Sequence, residues 1–233
     1  MVHILRSKDF IVQTLVNKTN CNRPQKLLFE WRLSKYSVDQ SNDTIIETTT
    51  TLNSKTTEWN LQKRQLDYGL YFVDFKAALE SNPPAVSSTL GFFSITKSPI
   101  IADILGGNKV TRGKGSVITL DASATRDPDV EPGNYSSMQF TWLCKRREET
   151  FPTGPLALVP VITASSGPGG GGCFGTGVGK LISNLTVVTL ETFQMTVDMS
   201  YDVKLVVTKD DREDDFVQEI KIVSGSPPNV IIR

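Results

Sequence analysis

One pattern occurs twice in this chain, and it restricts the fold more than any other feature. Phe29-Glu30-Trp31-Arg32-Leu33 corresponds to Phe140-Thr141-Trp142-Leu143-Cys144. Tyr71-Phe72-Val73-Asp74-Phe75 corresponds to Tyr201-Asp202-Val203-Lys204-Leu205. Phe92-Phe93-Ser94-Ile95 followed by Ser98-Pro99 corresponds to Gln218-Glu219-Ile220-Lys221-Ile222 followed by Ser226-Pro227. Apolar residues recur in steps of two, the period of strands half-buried against a core. Proline cannot extend a central strand, so the Ser-Pro pairs read as boundaries. The chain divides into Met1–Lys97 and Ser98–Gly225. Residues 226–233 then open a truncated third module, with Pro228-Asn229-Val230-Ile231-Ile232 parallel to Ile100-Ile101-Ala102.

A length of 233 residues accommodates two sandwiches of ordinary size. A Trp on one central strand and a Tyr on a later one is the arrangement of immunoglobulin-like and fibronectin type III-like domains. The predicted fold class is therefore all-β, two tandem sandwiches of that kind. Helix signals are few: Leu61 to Leu66 has room for one turn before Gly69 and the aromatic alternation end it. The second module carries an insertion whose tip, Ser165 to Gly172, is Gly-rich and reads as a mobile loop.

Lys plus Arg and Asp plus Glu both number 25, so charge makes no case for nucleic acid. No apolar run approaches the roughly 18 residues of a membrane span. Arg6, Lys8 and Asp9 interrupt the start of the chain, so Met1 to Phe10 is not a signal peptide. Four Asn-x-Ser/Thr sequons point to a secreted environment: Asn17, Asn42, Asn134 and Asn184. Asn42 and Asn134 lie in polar, turn-rich segments, whereas Asn184 borders a Val/Thr-rich strand. The three cysteines allow one bridge and one leftover.

Catalytic patterns find little support. The single histidine, His3, leaves Ser-His-Asp and Cys-His arrangements without a base, and scattered cysteines do not make a zinc site. Gly170-Gly171-Gly172-Cys173-Phe174-Gly175 matches a dinucleotide fingerprint in letters only, because a β-prone stretch follows where a helix is required. No cofactor is implied. Asp210 to Asp215 reads as the solvated hairpin between the last two strands. Lys145-Arg146-Arg147 is either a patch for an acidic glycan or, with Glu148-Glu149 after it, a solvated strand end. Trp31 and Trp142 read as core; Trp59, in Thr57-Glu58-Trp59-Asn60, is either a core plug or partly exposed.

Asp127-Pro128-Asp129 is the best candidate for more than structure. Carboxylates on a stiff loop, helped by Asp121 or Glu131, are hard ligands suited to Ca²⁺. One loop supplies few of the roughly six to eight oxygens that Ca²⁺ takes. The plainer alternative is an Asx-turn closed by Asp127.

Several segments together resemble one known family. They are Leu120-Asp121-Ala122-Ser123 through Asp127-Pro128-Asp129 to Trp142-Leu143-Cys144, Ser98-Pro99-Ile100-Ile101-Ala102-Asp103-Ile104-Leu105-Gly106-Gly107, and Leu66-Asp67-Tyr68-Gly69-Leu70-Tyr71. They are similar to the REJ (receptor for egg jelly) module of the polycystins, the polycystic kidney disease protein family. The family's module is several times longer than this chain, so the resemblance places the chain within one module. It implies an extracellular part of a plasma or ciliary membrane protein linked to cation-channel signalling. Its partners would be extracellular proteins or glycans, with a channel subunit bound to the parent. The family also pairs a Trp-x-Cys strand with a later cysteine, which implies a Cys144–Cys173 disulfide and leaves Cys21 free or paired outside the chain. The expected role is a non-catalytic spacer and recognition surface built from an elongated pair of sandwiches. The rival reading is a secreted carbohydrate-binding or adhesion accessory module.

Overall fold

The computed structural model describes residues 1–17, 26–38, 44–54, 56–80, 85–162 and 171–225, with the backbone alone at 38 and 44–54. The expected third module, residues 226–233, lies outside the described residues. The chain forms two compact units, Met1–Ser98 and Pro99–Arg233. Ser98 belongs with the first because its hydroxyl donates to Ser7 Oγ at 2.8 Å and accepts from the Ser7 amide at 3.3 Å.

The first unit is built from strands β1 (Val2–Leu5), β2 (Phe10–Gln13), β3 (Leu27–Val38), β4 (Thr44–Ser54), β5 (Glu58–Leu61), β6 (Gly69–Leu79) and β7 (Val86–Thr96). One sheet has the order β1-β7-β6-β3-β4, and β2 pairs with β5 in the other. Alternation in β6 buries Tyr71, Val73, Phe75 and Ala77 and turns Leu70, Phe72 and Asp74 outward. Trp31 is 1% exposed, with its ring 4.4 Å from Phe75 and 6.2 Å from Trp59. Trp59 is a core plug, buried from the opposite sheet. The stretch after Leu61 is a turn with Arg64 at φ 63°, not a helical turn.

The second unit repeats this plan. Its strands are β8 (Lys109–Gly113), β9 (Val117–Asp121), β10 (Gln139–Arg146), β11 (Val161–Ile162), β12 (Gly179–Leu181), β13 (Val187–Glu191), β14 (Ser200–Lys209) and β15 (Arg212–Val223). The sheets are β11-β12-β10-β14-β15-β8 and β13-β9. Registers agree between the units. Trp31 stands opposite Phe75, and Trp142 opposite Leu205; Tyr71 faces Lys35, and Tyr201 faces Arg146. Both Trp indoles donate to a carbonyl two residues before the equivalent strand, Thr56 O at 3.4 Å and Leu185 O at 2.9 Å. The Tyr71 hydroxyl donates to Asp67 O at 3.0 Å, and the Tyr201 hydroxyl accepts from Thr196 N at 2.8 Å. Burial pushes the Tyr71 phenol above its ordinary range, and the nearby Asp67 charge adds to the shift. Both units are thus immunoglobulin-like sandwiches with the Trp and Tyr at matched positions.

The units differ in the insertion between β10 and β12. Cys144 and Cys173 form a disulfide with a Cα separation of 5.3 Å. The residues it ties down bring Val159, Phe151, Leu156 and Val178 over Leu143 and Val206, a second small core on the outer face of the sheet. Gly172 sits at φ 56° in a single 3-10 turn, where a Cβ would fall 2.6 Å from Ile162. Most of the Gly-rich tip lies outside the described residues. Its last members, Gly171 and Gly172, are packed against Ile162 and lead through a single 3-10 turn to β12, not into the α-helix that a dinucleotide loop needs.

Candidate functional site

The Asp127-Pro128-Asp129 turn lies on the second unit, and its carboxylates point inward. Asp127 closes an Asx-turn, accepting the Asp129 amide on Oδ1 at 3.0 Å. The β14–β15 hairpin brings two cations to the same carboxylate. Arg212 donates from Nη1 to Asp127 Oδ1 at 3.0 Å and from Nη2 to Oδ2 at 2.9 Å, and Lys209 Nζ lies 2.9 Å from Oδ2. Asp129, fully buried, stands 3.5 Å from Arg212 Nη1. Burial pushes the Asp127 carboxyl up, but Arg212, the Asp129 amide and Lys209 outweigh it and hold it at about 2, below the ordinary 3.8.

The two carboxylates proposed for Ca²⁺ are therefore engaged by a guanidinium and an ammonium. Asp121 is occupied locally, accepting the Ser123 amide at 2.8 Å, and Glu131 is exposed. Among the described residues no three His, Cys, Asp or Glu side chains converge as a metal site. The arrangement is a clamp between an early turn and the last hairpin. Asp214 adds a second tie, accepting the Ala102 amide at 2.8 Å. The acidic hairpin is thus only partly solvated.

Lys145-Arg146-Arg147 needs a larger correction. Lys145 is not a solvated strand end: its side chain is 4% exposed and bonds Asp202 Oδ2 at 2.7 Å. Its ammonium also lies 4.7 Å from the centre of the Phe151 ring, which the insertion supplies. Arg147 bridges Asp202 and Glu219, and Lys109 reaches Glu219 at 3.3 Å. Burial raises the Glu219 carboxyl, and the Ser200 hydroxyl, Lys109 and Arg147 more than offset it, leaving it below its ordinary range. A row of alternating charge thus occupies the outer face of β10, β14, β15 and β8.

The equivalent face of the first unit carries an apolar patch beside the Glu30–Arg32 ion pair. Phe72 and Phe92 pair across β6 and β7 with ring centres 6.3 Å apart, and Phe92 and Leu90 are about half exposed. His3 lies beside them in register, its Nδ1 2.6 Å from Ser94 Oγ, on an exposed sheet face. The sequon residues Asn17, Asn134 and Asn184 are all exposed; Asn42 and Cys21 lie outside the described residues.

The partners of Asp127 and Lys145 escape sequence reading. Arg212 is 85 residues from Asp127, and Asp202 is 57 from Lys145. Only the repeat alignment, which sets Asp202 one residue after Tyr201 on the strand beside the Trp strand, carried any signal of the second pair.

The REJ domain model matches residues 14–233. This chain belongs to the REJ domain family. Solved structures with a similar fold include the N-terminal four Ig domains of Dscam1 isoform 4.44, at 12% identity and a TM-score of 0.33, covering 94% of this REJ chain and 43% of that one. Extracellular domains 3–5 of Drosophila OTK match at 11% identity and a TM-score of 0.31, covering 96% and 63%. The amphioxus IgVJ-C2 molecule matches at 10% identity and 0.30, covering 94% and 99%. The REJ chain thus spans less than two thirds of the Dscam1 and OTK fragments. Among its described residues, no helix is long and apolar enough to cross a membrane.

Proposed function

We propose that this REJ chain is an extracellular, non-catalytic segment of a polycystin-type membrane protein, serving as spacer and recognition surface for a parent linked to cation-channel signalling. The family match over residues 14–233 carries this reading. The tandem sandwiches support it, since their titratable clusters are spent on internal clamps: Asp127 with Arg212 and Lys209, and Lys145 with Asp202. Among the described residues, the outward-facing Phe72–Phe92 pair and the sequon asparagines offer surface for recognition. Partners of such a surface are extracellular proteins or glycans. Asn17, Asn42, Asn134 and Asn184 are proposed glycan acceptors of the same ectodomain.

The test is antibody labelling of cells that make the parent protein. Antibodies raised against the 233-residue chain should stain intact cells. Staining that needs permeabilisation of the plasma membrane overturns the reading. A glycan array probed with the purified chain separates the accessory-module alternative, for which selective glycan binding is the expected result.

A further inference from the structure

Among the described residues the second sandwich is uncovered along one edge, and that edge carries exposed apolar side chains. Between β12 and β13 run two adjoining grooves of 430 and 560 Å³ that share Leu181, Ile182, Ser183 and Leu185. Ile182 is 68% exposed and Leu185 64%, with Val161 and Val187 exposed beside them. Among the described residues β11 ends its sheet and β13 pairs only with β9, so the groove runs along the outer edges of β11 and β13. Such an edge invites pairing with another chain unless something covers it.

Asn184 lines the larger groove and begins the sequon Asn184-Leu185-Thr186. Its loop is held from below, where Trp142 Nε1 donates to Leu185 O and the Leu185 amide bonds Ser183 Oγ at 3.1 Å. That support leaves the Asn184 side chain exposed at the groove's mouth. Asn134 differs: its side chain accepts the Ser136 amide at 3.0 Å in the polar turn after Glu131-Pro132-Gly133.

We infer that an N-linked glycan on Asn184 occupies this groove and covers the open edge. A pyranose ring has an apolar face of C–H groups and a polar rim. The groove matches both, with Ile182 and Leu185 for the face and Ser183, Thr141 and Lys180 for the hydroxyl and acetamide groups. The donor is an oligosaccharide linked to a lipid pyrophosphate. Asn184 Nδ2 bonds to the anomeric carbon, the carbon–oxygen bond to pyrophosphate breaks with its electron pair, and one amide proton passes to a base of the transferring enzyme. The inference rests on the extracellular reading above.

The test uses the 233-residue chain secreted from mammalian cells, with Asn184→Gln, Thr186→Ala and, as control, Asn134→Gln. Glycopeptide mass spectrometry should find Asn184 occupied in the parent chain. Amide hydrogen exchange over 182–190 should quicken about tenfold in both groove variants, the factor expected from uncovering roughly 50 Å² of apolar surface. The control should leave it unchanged. Glycans at Asn134 with a bare Asn184, or an occupied Asn184 whose loss leaves exchange unaltered, overturn the groove assignment alone. Bare asparagines at every sequon overturn it together with the extracellular reading.

Discussion

The Asp127 clamp makes the sharpest prediction, because its charge is both buried and titratable. In Asp127→Asn the amide still fills the turn, but Arg212 and Lys209 lose their shared anion. The Asp127 side chain is 1% exposed, Lys209 11% and Arg212 10%. Breaking a buried pair from one side costs about 3–5 kcal/mol. Asp129 at 3.5 Å and the half-exposed Asp210 at 3.3 Å remain beside Arg212, which places the expected loss near 3 kcal/mol at pH 7. The pH dependence is separate. A carboxyl held at about 2 instead of 3.8 contributes about 2.5 kcal/mol. Because the folded value is depressed, that stability is fully present above about pH 4 and is lost as pH falls through about 2. Urea titration of the 233-residue chain, followed on the indole N–H resonance of Trp142, reads the second unit by itself. The gap between wild type and Asp127→Asn should be about 3 kcal/mol at pH 7 and shrink by about 2 kcal/mol by pH 2. A gap under 1 kcal/mol at neutral pH, or one that ignores pH, would refute the reasoning.

Replacing both Cys144 and Cys173 by Ser should cost about 3–4 kcal/mol in the chain-entropy account; calorimetry gives the loss, and hydrogen exchange should localise it to β12 and the residues over Leu143 and Val206. Tyr71→Phe and Tyr201→Phe should each cost about 1 kcal/mol, one hydrogen bond apiece; denaturant titrations differing by more than about twice that figure would break the equivalence of the two positions. Lys145→Ala should destabilise the second unit by about 2–3 kcal/mol, since Asp202 then keeps only Arg147. Lys145→Met, which keeps the packing on Phe151, should lose less in the same thermal melts.

The strand pairs legible in the sequence were those whose signal is local. Phe140 and Trp142 alternate within one strand, and Tyr201, Val203 and Leu205 within the next, so pattern alone places them on one core. The bridge between Cys144 and Cys173 came through the family resemblance, because spacing alone left the pairing open. Lys145 was misread for a physical reason. A basic run followed by two glutamates has the composition of a wet strand end, but what buries it is Phe151 and an anion 57 residues on. The calcium reading of Asp127 and Asp129 had the same blind spot, since an acidic turn looks the same whether a metal or a distant arginine answers it. The open edge beside Asn184 was half visible: the sequon was plain, but the groove depends on where β12 stops short of β13.

The parallel pairing of β1 with β7, and of β8 with β15, has a mechanical side. In each unit an early strand lies alongside the last one and runs the same way. Tension drawn through the two ends of such a unit is directed along the ladder and strains its hydrogen bonds together. Antiparallel neighbours pulled from adjoining ends would instead unzip bond by bond. Tension applied in this way falls on the ladder in shear, and in the second unit Arg212 sits at the start of the strand it would act on.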